Sequence, residues 1–223
     1  MERGRAVAGL AMIVLAGVVL AGWSPWSWAT PWSSEEHRDE LAAGITAVRL
    51  DDIGAGDVRV RAGDWQRTSV TAHVRTGWWG DGDRSFERDG DVLVLDECRG
   101  CTVDYELVVP RGTTVSGEGG SGTVVLEGVR GVDVTSSSGD VRGSSLGGPV
   151  VVESSSGDVE LDLATPQDVR ASTSSGHVDL TVPDGRYRVE ADGDADVDVI
   201  DDPDARHELV LETSSGDVRA VAR

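Results

Sequence analysis

The chain contains no lysine, one phenylalanine, two methionines and two cysteines. Its basic charge therefore rests on arginine alone, and 20 basic residues face 40 acidic ones for a net charge of −20. That balance excludes nucleic acid as a partner, because neutralising phosphates takes a basic surface. It also disfavours unaided adsorption to anionic lipid headgroups. An acidic exterior confers solubility and attracts cations. Helix-forming Lys, Gln and Met are scarce, whereas Val dominates the apolar residues and Gly reaches 29. Such a composition favours short strands broken by turns.

Cysteine is confined to Cys98 and Cys101. A redox pair at this spacing needs its first thiol at a helix N-terminus, where the thiol acidifies. Here the strand-like stretch Thr102–Val109 follows directly. No second cysteine pair or nearby histidine pair completes a zinc site. The arrangement fits a local disulfide pinning a turn, with redox and metal chemistry as the weaker readings.

Long apolar runs are equally rare: the one in this chain is residues 6–23, preceded by Arg3 and Arg5. At about 1.5 Å per residue it covers about 27 Å, near the hydrocarbon thickness of a bilayer. Trp23, Trp26, Trp28 and Trp32 follow, as in an interfacial aromatic belt, and then Glu35, Glu36, Asp39 and Glu40. This predicts a cytoplasmic tail at 1–5, a transmembrane anchor at 6–23 and a juxtamembrane stalk at 24–46. The protein is then a single-pass protein of the cell membrane, with its N-terminus inside and its C-terminal domain outside. Cleavage of the run as a signal sequence, after Ser27-Trp28-Ala29, is the alternative and predicts a secreted protein. No cysteine follows the run to serve as a lipoprotein attachment point.

The remaining residues, 47–223, are repetitive. A corner with the pattern Ser-Ser-Gly-Asp-Val recurs at Ser137–Val141, Ser155–Val159, Ser174–Val178 (where His177 replaces Asp) and Ser214–Val218. Ser121–Val124 is a worn copy, and residues 190–199 sit where a further copy belongs, with aspartates for serines. Matching positions lie about 17 to 21 residues apart, a period typical of solenoid arrays. Val132 and Val134, and later Val159, Leu161 and Leu163, alternate with polar residues, so each unit reads as two short strands with one apolar face. At the corner, Gly supplies a positive φ without steric cost and Asp bonds back to nearby amides. The expected fold is an all-β solenoid whose coils stack like residue on like, after one N-terminal transmembrane helix. An antiparallel β-sandwich is the alternative.

These corners, the stretch Cys101–Pro110 and the single N-terminal span resemble a bacterial, actinobacterial-type family of β-strand-repeat proteins proposed to be adhesins. The resemblance covers about residues 47–223. It implies a surface-exposed, right-handed β-helix-like domain of unestablished biochemistry, and it brings no catalytic residues. His177 and the aspartate-rich unit depart from the family pattern.

Residue chemistry points the same way. His37, His73, His177 and His207 stand far apart, and the many serines belong to the repeat. A nucleophile elbow, a Walker loop and a His-Glu-x-x-His motif are all missing. The expected protein is therefore not an enzyme but a non-catalytic cell-surface interaction module. Its partners are the membrane, through the span, and a cell-wall polymer or surface protein. An envelope sensor acting through an inner-membrane partner is the second reading. A glycan-active enzyme is the third, and would show a groove lined by Arg and Asp across coils. Two features stand out from the scaffold. Asp192, Asp194, Asp196 and Asp198 would line one face of a strand, with Ala195, Val197 and Val199 inward, and could hold Ca²⁺ weakly; no other cofactor is expected. Trp78 and Trp79, in a glycine-rich segment, are candidate ligand-binding residues, because adjacent side chains on a strand point to opposite faces.

Overall fold

The computed structural model describes residues 33–41, 43–76 and 86–223, and their regular structure is all β. The apolar run at 6–23, expected to be a membrane helix, lies outside the described residues, and no helix among those described is long and apolar enough to cross a membrane.

After β1 (Ser33–Leu41), the chain forms a first coil from β2 (Ala47–Asp51) and β3 (Val58–Gly63). Strands β4 (Thr68–Thr76) and β5 (Phe86–Asp89) follow, then a coil from β6 (Val92–Asp96) and β7 (Cys101–Pro110). Four regular coils come next. They are β8 (Thr114–Gly119) with β9 (Val124–Glu127), β10 (Gly131–Ser136) with β11 (Val141–Leu146), β12 (Val150–Ser154) with β13 (Val159–Leu163), and β14 (Val169–Thr173) with β15 (Val178–Val182). The last two coils are each drawn from one long strand, β16 (Arg186–Asp198) and β18 (His207–Ala222), with short β17 (Ile200–Asp201) between them.

First strands of successive coils pair in parallel into one face, and second strands pair in parallel into another. Antiparallel pairing is confined to β1 on β4, β4 on β7 and β5 on β6. The fold is thus a β-solenoid, and the antiparallel sandwich is excluded. Like stacks on like: Leu93, Val48, Val115, Val132, Val150, Val169, Leu209 and Val189 follow one another through the first face. Tyr105, Val58, Val124, Val141, Val159, Val178 and Val218 do the same through the second. All of these except Val189 are buried in one continuous core, which supplies the main stabilisation.

The order of coils in space is not their order in sequence. Strand β2 lies between β6 and β8, so the coil β6–β7 forms one end of the stack. At the other end β18 pairs with β14 and β15 on one side and with β16 on the other. The aspartate-rich unit, expected between the fourth and last copies, is therefore the terminal coil. Charge explains the placement: an interior coil has neighbours on both sides at about 4.8 Å, where facing carboxylates repel. A terminal coil leaves one side in water. Of the residues expected inward, Ala195 and Val197 are exposed, whereas Val199 is partly buried against the core.

Part of the segment expected as a stalk, 24–46, is described. Strand β1 pairs with β4 along its whole length, from Ser33 opposite Thr76 to Leu41 opposite Thr68.

Three of the corners work differently from the expectation: Gly139, Gly157 and Gly176 are not in positive-φ conformations, whereas Gly216 is, at +156°. Instead the corners stack so closely that a Cβ on Gly139 would fall on the carbonyl oxygen of Gly122, one on Gly157 on that of Gly139, and one on Gly176 on that of Gly157. Glycine is required there by close backbone approach.

Candidate functional site

Most of the chemically able side chains are consumed by the scaffold. The residue that opens each corner points inward as a hydroxyl ladder, Ser136 on Ser154 on Thr173 on Thr213, all buried. Each hydroxyl is satisfied by corner backbone. Ser136 Oγ donates to Gly139 O at 2.7 Å, Thr173 Oγ1 to Gly157 O at 3.0 Å and Thr213 Oγ1 to Gly176 O at 2.9 Å. Ser154 Oγ accepts from Gly157 N at 3.0 Å. A buried hydroxyl without such a bond would destabilise the fold.

The corner aspartates form a second ladder. Asp140 Oδ1 accepts the backbone N–H of Asp158 at 3.1 Å, and Asp158 Oδ1 accepts that of His177 at 2.9 Å. His177 Nδ1 lies 3.1 Å from the backbone nitrogen of Asp217 and 3.2 Å from its carboxylate. The departure from the corner pattern at His177 thus places a ring nitrogen where the other corners place a carboxylate oxygen.

Of the residues singled out in the sequence, Cys98 and Cys101 are joined by a disulfide across the turn between β6 and β7, with Cα atoms 5.3 Å apart. Trp78 and Trp79 lie outside the described residues. Asp192, Asp194, Asp196 and Asp198 occupy the exposed strand β16, whose register shifts between Asp192 and Asp194 at Gly193, φ +120°. Asp194 lies opposite Asp217 and Asp196 opposite Arg219. Among the described residues, no three acidic, histidine or cysteine side chains converge on a point that could hold a metal ion.

A groove of about 530 Å³ crosses the outer side of the second face, over β11, β13, β15 and β18. The register lines Arg142, Glu160, Asp179 and Arg219 across it in sequence. This is the arginine- and aspartate-lined groove expected of a glycan-active enzyme. Arg142 pairs with Glu160 at 3.7 Å and with Asp140 at 2.7 Å, and the Glu160 side chain is 70% exposed. A raised carboxyl occurs elsewhere, at Asp96, where burial lifts it above its ordinary range and Glu87 and Asp51 add to it. Asp96 lies on the terminal strand β6, away from the groove.

The residue that sequence reasoning passed over is Trp65. It sits on the short turn between β3 and β4 and is 52% exposed, beside a pocket of about 540 Å³. The turn is held at its base: Arg111 donates through Nε and Nη2 to the two oxygens of Asp64, the latter at 2.9 Å. Those hydrogen bonds, and then the guanidinium charge, hold the Asp64 carboxyl below its usual range. Trp65 N donates to Gly63 O at 2.8 Å, and the Nε1 end of the indole lies so close to Gly63 that a Cβ there would meet it. In sequence this is one aromatic in a hydrophilic turn, and only the register of β3, β4 and β7 gives it neighbours.

The family model described as Toastrack DUF4097 matches residues 54–222. No curated protein matches the chain. Among solved structures, the chain is similar to a proposed cell adhesion protein from Clostridium sporogenes ATCC 15579. The two are 11% identical, with 86% of this chain and 100% of that one covered and a TM-score of 0.49. It is also similar to a proposed adhesin from Bacteroides fragilis NCTC 9343, at 12% identity over 85% and 97% of the two chains, with a TM-score of 0.44.

Proposed function

The chain belongs to the Toastrack DUF4097 family, and on that premise we propose that it is a non-catalytic interaction module held at the cell surface by residues 6–23. The observation that carries this reading is the use made of the repeated side chains. Ser136, Ser154, Thr173, Thr213, Asp140, Asp158 and His177, which could otherwise supply nucleophiles, acids and bases, are engaged in bonds within and between coils. What the fold leaves over for function is its outer surface: two broad parallel faces whose polar side chains stand in register. A rigid, repetitive surface suits contact with a repetitive partner, and a cell-wall polymer is the partner of that kind outside a bacterial membrane.

The test uses the full chain in mild detergent, sedimented with purified cell-wall sacculi with and without Ca²⁺. Saturable pelleting is expected. Chelation of Ca²⁺ is expected to leave it unchanged, since no three acidic side chains among the described residues converge on one ion. A chain that stays in the supernatant under all conditions would remove the wall as its partner.

A further inference from the structure

We propose that the pocket beside Trp65 is a carbohydrate subsite, which takes one uncharged pyranose ring of a longer glycan. The proposal rests on the interaction-module reading and adds to it a ligand class and a place. Its first support is the indole itself. Its Nε1 end lies close against Gly63, and the residue is 52% exposed beside the pocket. A flat, rigid aromatic surface of this kind suits the C–H face of a sugar, which it holds by dispersion at little cost in side-chain entropy.

The second support is the polar rim. Arg61, Gln66 and Arg67 surround the indole, and Val108 supplies an apolar wall. Planar guanidinium and amide groups can engage neighbouring sugar hydroxyls two at a time. The charges of both arginines are already balanced: Arg61 Nε lies 3.0 Å from Glu127 and Arg67 Nη1 3.6 Å from Glu40. An anionic ligand would have to displace those carboxylates and approach a chain of net charge −20, whereas hydroxyl groups can join the existing pairs.

The third support is size. The pocket's volume of about 540 Å³ falls within the range of small-ligand sites and accommodates a sugar ring.

The experiment is saturation-transfer NMR on the full chain in mild detergent. The probes are five tetrasaccharides: β-1,4-linked N-acetylglucosamine, β-1,4-linked glucose, α-1,4-linked glucose, β-1,4-linked xylose and α-1,6-linked mannose. Saturable transfer from at least one is expected, with affinity reduced about tenfold or more in Trp65→Ala and within about threefold of wild type in Trp65→Phe. Arg67→Ala provides a second variant, also expected to weaken binding, with equal urea midpoints as the check on folding. Absence of transfer from all five probes, or binding untouched by Trp65→Ala, overturns the subsite. Sacculus pelleting separates the two failures. If wild type and Trp65→Ala pellet equally, the subsite falls and the interaction module stands; if wild type does not pellet, the wall-binding reading falls independently of the tetrasaccharide result.

Discussion

A single methyl group distinguishes the two ways in which glycine is used here. At Gly157 the backbone is conformationally ordinary, but a Cβ would collide with the carbonyl oxygen of Gly139 in the coil below. At Gly112 the reverse holds: φ is +84° and nothing lies within reach of a Cβ. Gly157→Ala is therefore expected to cost about 3 kcal/mol or more, as forced overpacking against backbone does. Gly112→Ala should cost only about 1–2 kcal/mol, from the left-handed conformation. Urea unfolding of the two variants checks the order. Asp96 supports a prediction of opposite sign. Burial, and then Glu87 and Asp51, raise its folded pKa above the ordinary 3.8 despite the opposing charge of Arg49. The native state thus holds this proton more tightly than the unfolded chain. Its contribution is fully present below the ordinary value and is lost as pH rises through the raised one. Asp96→Asn should accordingly stabilise the protein at pH 7, by less than about 1 kcal/mol because the group is partly exposed, and the gain should vanish below about pH 4. At this scale the sequence revealed where glycine was needed but not the reason. The corner at Ser155–Val159 announces a turn; that its backbone presses on the previous corner depends on a register that no local pattern contains. Trp65 was illegible for the same cause.

The elements show a related division. Alternation along Val132–Val134 and Val159–Leu163 was enough to identify strands, their inward residues and a solenoid period, because stacked coils impose the same pattern on each unit. Alternation could not reveal which coil stacks on which, since a strand displays the same apolar row to a neighbour above or below. Hence the exchanged orders at the two ends were not foreseen. They leave the ends finished differently. One is covered by antiparallel β5 and by β4 with β1, whereas the other ends in β16, which pairs outward only with β17, at Arg186 and Tyr187. Beyond Tyr187 the outer edge of β16 pairs with no further strand among the described residues, though Val189 N donates to Asp201 Oδ1 at 3.1 Å, and Val197 and Ile200 are exposed nearby at 36% and 63%. Open edges invite pairing with other chains, and charge together with a register irregularity is a common protection. The aspartates of β16 are best understood in that role. Changing Asp192, Asp194, Asp196 and Asp198 together to Ser should leave the core intact and promote concentration-dependent self-association. Sedimentation velocity would detect it, and a variant that stays monomeric at high concentration would count against edge protection.

For the molecule as a whole, stacking makes stability nearly one-dimensional, with each coil held chiefly by its two neighbours. That structure permits a strong test of register. Val150 lies between Val132 and Val169, and Val159 between Val141 and Val178. Removing residues 150–168 should therefore let Val169 descend onto Val132 and Val178 onto Val141, with Thr173 taking the place of Ser154 over Ser136. The corner survives the exchange, because Asp140 Oδ1, which now accepts the N–H of Asp158, would accept that of His177. The shortened chain loses the bond from Gln167 Nε2 to Leu146 O at 3.3 Å, so some local cost is expected at the junction. It should nevertheless fold cooperatively, with a smaller denaturant m-value reflecting the lost coil. Extending the deletion by one residue, to 150–169, provides the contrast. Arg170 would then occupy the inward position of Val150, and the strand's apolar residues would turn to solvent. That variant should not fold. Circular dichroism and urea titration of both deletions decide the matter: if they behave alike, the coils are not held by the like-on-like register described here.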